Sequence, residues 1–159
     1  MVIIASCANA QSSMSSLHGS RKVFIQVFFD YDASVGQILI LDAEKMRSAL
    51  KQALIENLNA QGIAIAGYVD PKMIYPSDTL VLTLSVDIMP APGQVVSDLV
   101  MLESFRYMKT EASPKVPMWI QCTRSVAHGG YSASLFADGL HTQVNSVCEQ
   151  FSSLYLQYQ

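Results

Sequence analysis

Charge is scarce in this chain. Only 14% of its 159 residues are Asp, Glu, Lys or Arg, against about 25% in a typical soluble domain. Half are apolar, so either a partner covers much of the surface or uncharged polar residues supply its polarity. Ser and Gln are abundant, which accounts for part of the deficit. The net charge is −3, and the one adjacent basic pair, Arg21–Lys22, reads as a solvated strand entrance. Both features argue against nucleic acid as a partner, because phosphate binding needs a basic footprint. No run of about 18 apolar residues occurs, so no segment reads as a bilayer-spanning helix.

Residues that carry chemistry are also few. The three histidines, His18, His128 and His141, make no H-x-x-x-H or H-E-x-x-H pattern, and no C-x-x-C exists. A zinc site would need scattered ligands such as His128, His141 and Cys148, and nothing in their spacing demands one. P-loop and G-x-G-x-x-G signatures are missing too. One stretch, "HGGYSASLF" at 128–136, places a histidine, two glycines, Ser132 and Ser134 ahead of a helix. Such a layout can offer backbone N–H groups to an oxyanion or phosphate. It lacks the closing glycine of a G-x-S-x-G elbow, and reads as a helix-entry loop capped by Ser132, Ser134 or Asp138. Asp30 and Asp32, on either side of Tyr31, read as solvated acids at a strand end. Cys148 falls on an apolar helix stripe, where a thiol is inert. The expectation is no catalytic residue, no metal and no cofactor.

What is there is patterned. In "RKVFIQVFFDY" (21–31) Val23, Ile25, Val27 and Phe29 alternate with Lys22, Gln26 and Asp30, the period of a strand. Phe24 and Phe28 fall on its second face, so the strand is expected to be central or covered on both sides. A helix follows between an Asp42 cap and a Gly62 stop, with Met46, Leu50, Ala53, Leu54 and Leu58 on its inner arc. Residues 63–69 and 79–88 read as strands, the second alternating strictly from Leu80 to Ile88. Residues 90–93, Pro-Ala-Pro-Gly, read as a turn. Residues 95–108 fit a helix through Val95, Leu99 and Leu102, or a strand through Leu99, Met101, Phe105 and Tyr107; the preceding turn favours the hairpin. Residues 118–127, with Trp119, read as a strand, and about 135–157 as a second helix with a continuous apolar stripe from Phe136 to Tyr158. The order is β-α-β-β-β-β-α. It predicts one α+β domain over 21–159, with two helices on one face of a mainly antiparallel sheet. A chain of this size buries about 70% of its unfolded surface and needs no metal or disulfide to fold.

The N-terminus carries the functional hint. Ile4-Ala5-Ser6-Cys7 resembles the lipobox of bacterial lipoproteins, in which an aliphatic and two small residues precede a cysteine that is lipidated and becomes the mature N-terminus. Residues 8–20 are rich in Ser, Gln and Ala and suit a flexible tether. Ala8-Asn9-Ala10 fits an alternative signal-peptidase cut. Either reading requires the basic and apolar parts of a signal upstream of Met1, so residues 1–20 are read as a truncated signal remnant and tether. With Cys7 lipidated, Cys122 and Cys148 remain as a candidate disulfide of an oxidising periplasm; two buried thiols packing as small hydrophobes are the other reading. The layout is similar to small outer-membrane lipoproteins that serve transport or secretion machines. That resemblance implies a non-enzymatic accessory or assembly subunit, anchored by lipid on the periplasmic side of the outer membrane and binding other envelope proteins. Its contacts would use aromatics such as Phe24, Phe28, Tyr75 and Trp119. Two alternatives stand beside it: a small enzyme or ligand-binding domain with its site around His128–Ser134, and a cytoplasmic subunit that self-assembles through sheet edges.

Overall fold

A computed structural model describes residues 5–6, 22–39, 41–70, 72–73, 75, 79–93, 95–107, 115–127 and 133–157. Along the chain lie β1 (Ala5–Ser6), β2 (Lys22–Tyr31), α1 (Ala33–Ile38), α2 (Ala43–Ala60), β3 (Ile65–Tyr68), β4 (Thr79–Ala91), β5 (Val95–Tyr107), β6 (Lys115–Ala127) and α3 (Ala133–Gln157). The strands form one sheet in the order β1-β6-β5-β4-β2-β3. The class is α+β, with α1 and β1 added to the expected order.

Sheet direction follows from the connections. β2 and β3 are joined through helices and run parallel, as a crossover requires. β4 also runs parallel to β2, in continuous register from Lys22↔Thr79 to Tyr31↔Ile88. β4 and β5 are joined by a short turn, and β4, β5 and β6 pair antiparallel in sequence order. The sheet is thus mixed, antiparallel on one side of β4 and parallel on the other.

Helix α2 forms where the residues dictate. The Asp42 carboxylate accepts the Lys45 N–H at 3.1 Å, and Glu44 sits in the first turn. Its inner arc, Leu50, Ala53, Leu54 and Leu58, is buried. Gly62 stops it at φ +80°. The Gly62 N–H then donates to the Asn59 carbonyl and the Ile63 N–H to the Leu58 carbonyl, both at 2.9 Å. That is a Schellman closure, with the buried side chains of Ile63 and Leu58 as its apolar partners. α2 lies over β2 and β3, α3 over β5 and β6, and the two helices pack on each other. Asn57 Nδ2 donates to Asn145 Oδ1 at 2.7 Å across their interface.

Between helices and sheet the core gathers Val23, Ile25 and Phe29 of β2 and the alternating Leu80 to Ile88 of β4. Phe136, Leu140, Val144, Val147, Cys148, Phe151 and Tyr155 of α3 close it from above. Residues 95–107 are strand, as the hairpin reading expects, but the buried face is the unexpected one. Val96, Val100 and Leu102 point into the core, whereas Leu99, Met101 and Phe105 lie half-buried on the other face. Pro90, expected in a turn, and Pro117 both sit inside strands. Pro90 pairs with Val96 near the hairpin tip, and the turn itself uses Gly93 at φ +80°. Pro117 opposes Phe105 where the β5–β6 register shifts, a bulge that accommodates a residue without an amide proton.

Candidate functional site

The helix-free face of the sheet is built by cross-strand rows. Phe24, Val81 and Phe105 stand opposite one another along one row; Phe28, Ser85, Met101 and Cys122 form another. The chain returning from β3 to β4 crosses this face and brings Tyr75 edge-on to Phe24, with ring centroids 4.9 Å apart. The Tyr75 hydroxyl accepts the Asp70 N–H at 2.5 Å and lies 3.1 Å from the Asp70 carbonyl. Tyr75 is therefore buried, at 7% exposure, and not the exposed contact expected from the sequence: its ring packs on the sheet while its hydroxyl ties down its own loop. Phe24 is half-buried beneath it. Phe28 stands clear at 55% exposure, so the expected second-face cover reaches Phe24 and not Phe28. Trp119 belongs to β6, with its side chain outside the described residues. On the same face Gln26 Nε2 donates to Thr83 Oγ1 at 2.6 Å, and burial raises the Glu103 carboxyl above the usual carboxylate range.

Beneath α3 lies a buried polar cluster that no sequence motif announces. Asp98, 3% exposed, projects from β5 into the helix-covered layer. Its carboxylate accepts from the Ser125 hydroxyl and from Gln143 Nε2. Gln143 also donates to Ser125 Oγ at 2.7 Å and accepts from Thr123 Oγ1 at 3.0 Å. Every donor has an acceptor, so the ring of Asp98, Ser125 and Gln143 closes, and α3 is fixed in register on β5 and β6. Asp98 has no cationic partner among the described residues. The hydrogen bonds of the cluster join α3 to β5 and β6, a positional role.

The third feature is at the sheet edge. β3 pairs with β2 only from Val23 to Ile25, and the ladder ends where the Val69 N–H donates to the Ile25 carbonyl at 3.0 Å. Just beyond that step is a recess of about 220 Å³ lined by Ile25, Gln26, Val27, Arg47, Lys51, Tyr68 and Val69. The Lys51 ammonium sits 3.3 Å from the centroid of the Tyr68 ring. Arg47 pairs with Glu44, three residues earlier on α2.

The remaining sequence candidates are not drawn together. Cys7, His18 and residues 128–132, including His128 and Ser132, lie outside the described residues. Ser134 falls in the first turn of α3 and His141 is exposed further along it. Cys148 faces the core and Cys122 the opposite side of the sheet, so the two do not bridge each other. The Asp32 carboxylate caps α1, and hydrogen bonds from the Ser34 hydroxyl and amide hold it below its ordinary value. Asp30 accepts its neighbour's amide, the Tyr31 N–H, at 2.9 Å. No cluster of three metal-ligating side chains, and no helix long and apolar enough to cross a membrane, occurs among the described residues.

No family model and no curated protein matches the chain. Among solved structures it is similar to a PelC dodecamer from Paraburkholderia phytofirmans, at 17% identity over 98% of each chain, with a TM-score of 0.47. A minor lipoprotein from Acinetobacter baumannii shares 12% identity over 88% of this chain and 94% of that one, with a TM-score of 0.39. Rare lipoprotein B from Shewanella oneidensis shares 13% identity over 83% and 91%, with a TM-score of 0.34. Likeness at these scores assigns neither fold nor function.

Proposed function

We propose that this chain is a bacterial envelope lipoprotein, anchored through Cys7, whose α+β domain acts by binding protein as an accessory or assembly subunit of a transport or secretion machine. The observation that carries this reading is the order of residues 4–22. An aliphatic residue and two small ones precede Cys7, thirteen uncharged or weakly basic residues follow it, and charge returns at Arg21–Lys22, where β2 begins. A lipidated cysteine followed by such a segment holds a domain near a membrane without a spanning helix. In its favour as a binding domain, Phe28 stands exposed in mid-strand. Aromatic side chains are features that protein partners use.

The test is the intact mass of the protein made in a Gram-negative host from its full reading frame, together with membrane fractionation. A mass that places diacylglyceryl and acyl groups on an N-terminal Cys7, in the membrane fraction, supports the proposal. An unmodified product that retains Met1 and stays out of the membrane fraction sinks it.

A further inference from the structure

The sheet face that carries no helix is covered at one end and open at the other. On the helix side Leu84, Val86 and Ile88 of β4 are enclosed. On the opposite side the end near Phe24 is closed as well, where Tyr75 packs edge-on to that ring and Val81 is enclosed beneath. Further along β2 that cover stops. Phe28 is exposed there, Ser85 and Met101 in the same cross-strand row are half-buried, and Cys122 closes the row. The next row adds the half-buried Leu99, and beyond it Met89 is exposed on β4. Across four adjacent strands this apolar strip spans about 14 Å.

Carboxylates bracket the strip. Glu103 of β5 stands in the row on one side, opposite Thr83. Asp30 and Asp87, register partners on β2 and β4, stand in the row on the other. None of the three has a cationic partner among the described residues. Asp30 accepts the Tyr31 N–H and keeps its charge exposed. Glu103 is raised by burial, with no cation beside it to counter the effect. Arg124, at the end of the Asp30 row, turns its Nε to Ser97 Oγ at 2.9 Å. Lys22 lies on the same face but about 20 Å from Phe28 along β2.

We infer that this face receives an amphipathic helix of a partner protein, whose apolar stripe covers Phe28, Met101 and Leu99 and whose flanking lysines or arginines meet Glu103 on one side and Asp30 and Asp87 on the other. Helices cover sheet faces, as α2 and α3 already cover the opposite one, and an exposed aromatic supplies the anchor. Charge selects the occupant. A lipid surface presents phosphates, which the three carboxylates repel. A second copy offers α2 and α3, and neither fits. α3 contains no Lys or Arg. The α2 cations Lys45, Arg47 and Lys51 are engaged by Asp42, Glu44 and the Tyr68 ring, and no large apolar side chain of α2 is exposed among them. This inference rests on the proposal that the domain binds protein, and it names the surface and the partner's chemistry.

The experiment uses the full chain and three synthetic peptides, titrated by amide NMR. The first is acetyl-Leu-Ala-Ala-Leu-Lys-Ala-Lys-Leu-Ala-Ala-Leu-Lys-Ala-Lys-amide, with Leu along one helical stripe and Lys on both flanks. The second has Glu in place of Lys, and the third Ser in place of Leu. The Lys–Leu peptide is expected to shift the Phe28, Ser85 and Met101 amides and to leave those on the outer arcs of α2 and α3 in place. The Glu and Ser peptides should each bind at least about tenfold more weakly. Phe28→Ser, a change at an exposed side chain, should weaken the Lys–Leu peptide by at least about tenfold. Asp30→Asn combined with Asp87→Asn should cut the preference for Lys over Glu by at least about threefold. Equal binding of the Lys and Glu peptides overturns the inference, as does binding that survives Phe28→Ser. Shifts at Phe28 and Met101 that grow with protein concentration alone would give the face to a second copy. Shifts caused by phosphatidylglycerol vesicles and not by the peptide would give it to a membrane, and either result overturns the inference. A chain lipidated on Cys7 that ignores the Lys–Leu peptide refutes this surface and leaves the anchor standing. An unlipidated chain that binds it does the reverse.

Discussion

Replacing Gln143 by Ala isolates the polar attachment of α3 from its apolar one. The change removes one hydrogen bond to the buried Asp98 carboxylate and two neutral ones, to Ser125 and Thr123. A bond to a charged group is worth about 1.5–3 kcal/mol and a neutral one about 1 kcal/mol, so the direct loss is about 3.5–5 kcal/mol. Gln143 is half-buried, so water reaches part of the vacated space and offsets some of this, leaving about 3 kcal/mol. For a chain of this size that corresponds to a fall of about 6–12 °C in Tm. Urea unfolding followed by circular dichroism measures it. Asp98→Leu combined with Gln143→Leu should cost less than the sum of the two single changes, by about 1–3 kcal/mol, because the pair leaves no stranded carboxylate. A Gln143→Ala protein that loses under about 0.5 kcal/mol, the range of an ordinary surface change, refutes the reasoning. So does a double-mutant cycle with no coupling.

Two further predictions follow from single residues. Burial, and next the Glu149 charge, push the Cys148 thiol up to about 12 from an ordinary value of 9.0. Cys148 should therefore resist iodoacetamide at pH 8 in the folded protein and react in denaturant, as mass spectrometry of the peptide would report; equal rates in both states would contradict this. The same shift makes stability fall as pH rises from 9 toward 12, because the unfolded chain releases that proton first and then binds fewer protons than the folded one. Gly62→Ala meets no neighbour within 4 Å, so its cost is the positive φ alone. A loss of about 1 kcal/mol in urea unfolding is expected, and a neutral result would mean that the α2 closure relaxes.

Elements whose two faces differ in polarity are legible in the residues alone. β4 alternates from Leu80 to Ile88 with Val81 as the apolar exception on its other face, and α2 carries cap, stripe and stop in their proper places. β5 shows what hides a face: its core side reads Val96, Asp98, Val100, Leu102, Ser104, so two buried polar residues break the pattern and make Leu99, Met101 and Phe105 look like the inner row. Asp98 is buried because Gln143 meets it from 45 residues away, a pairing that no local period encodes. Gln143 for its part looks like a member of a solvated helix face. Tyr75 misleads for a similar reason, as an aromatic in a loop whose burial depends on Phe24 across the sheet.

The two edges of the sheet differ in a way that bears on anchoring. Ala5 and Ser6 pair with Arg124 and Thr123 and so cover part of the outer edge of β6. These two residues also stand directly before Cys7. A chain whose mature N-terminus is Cys7 has lost them, so β1 and a lipidated Cys7 are mutually exclusive. On the proposal that Cys7 is lipidated, processing would uncover the β6 edge at Thr123 and Arg124. Unpaired strand edges invite association, and under that proposal the risk is confined to the processed form. Amide exchange at Thr123 and Arg124, compared between the chain beginning at Met1 and one starting at Cys7, should speed up at these positions and stay constant at Val86, which is paired on both sides. Unchanged exchange at Thr123 and Arg124 would mean that β1 protects nothing, and the coupling between processing and that edge would fall.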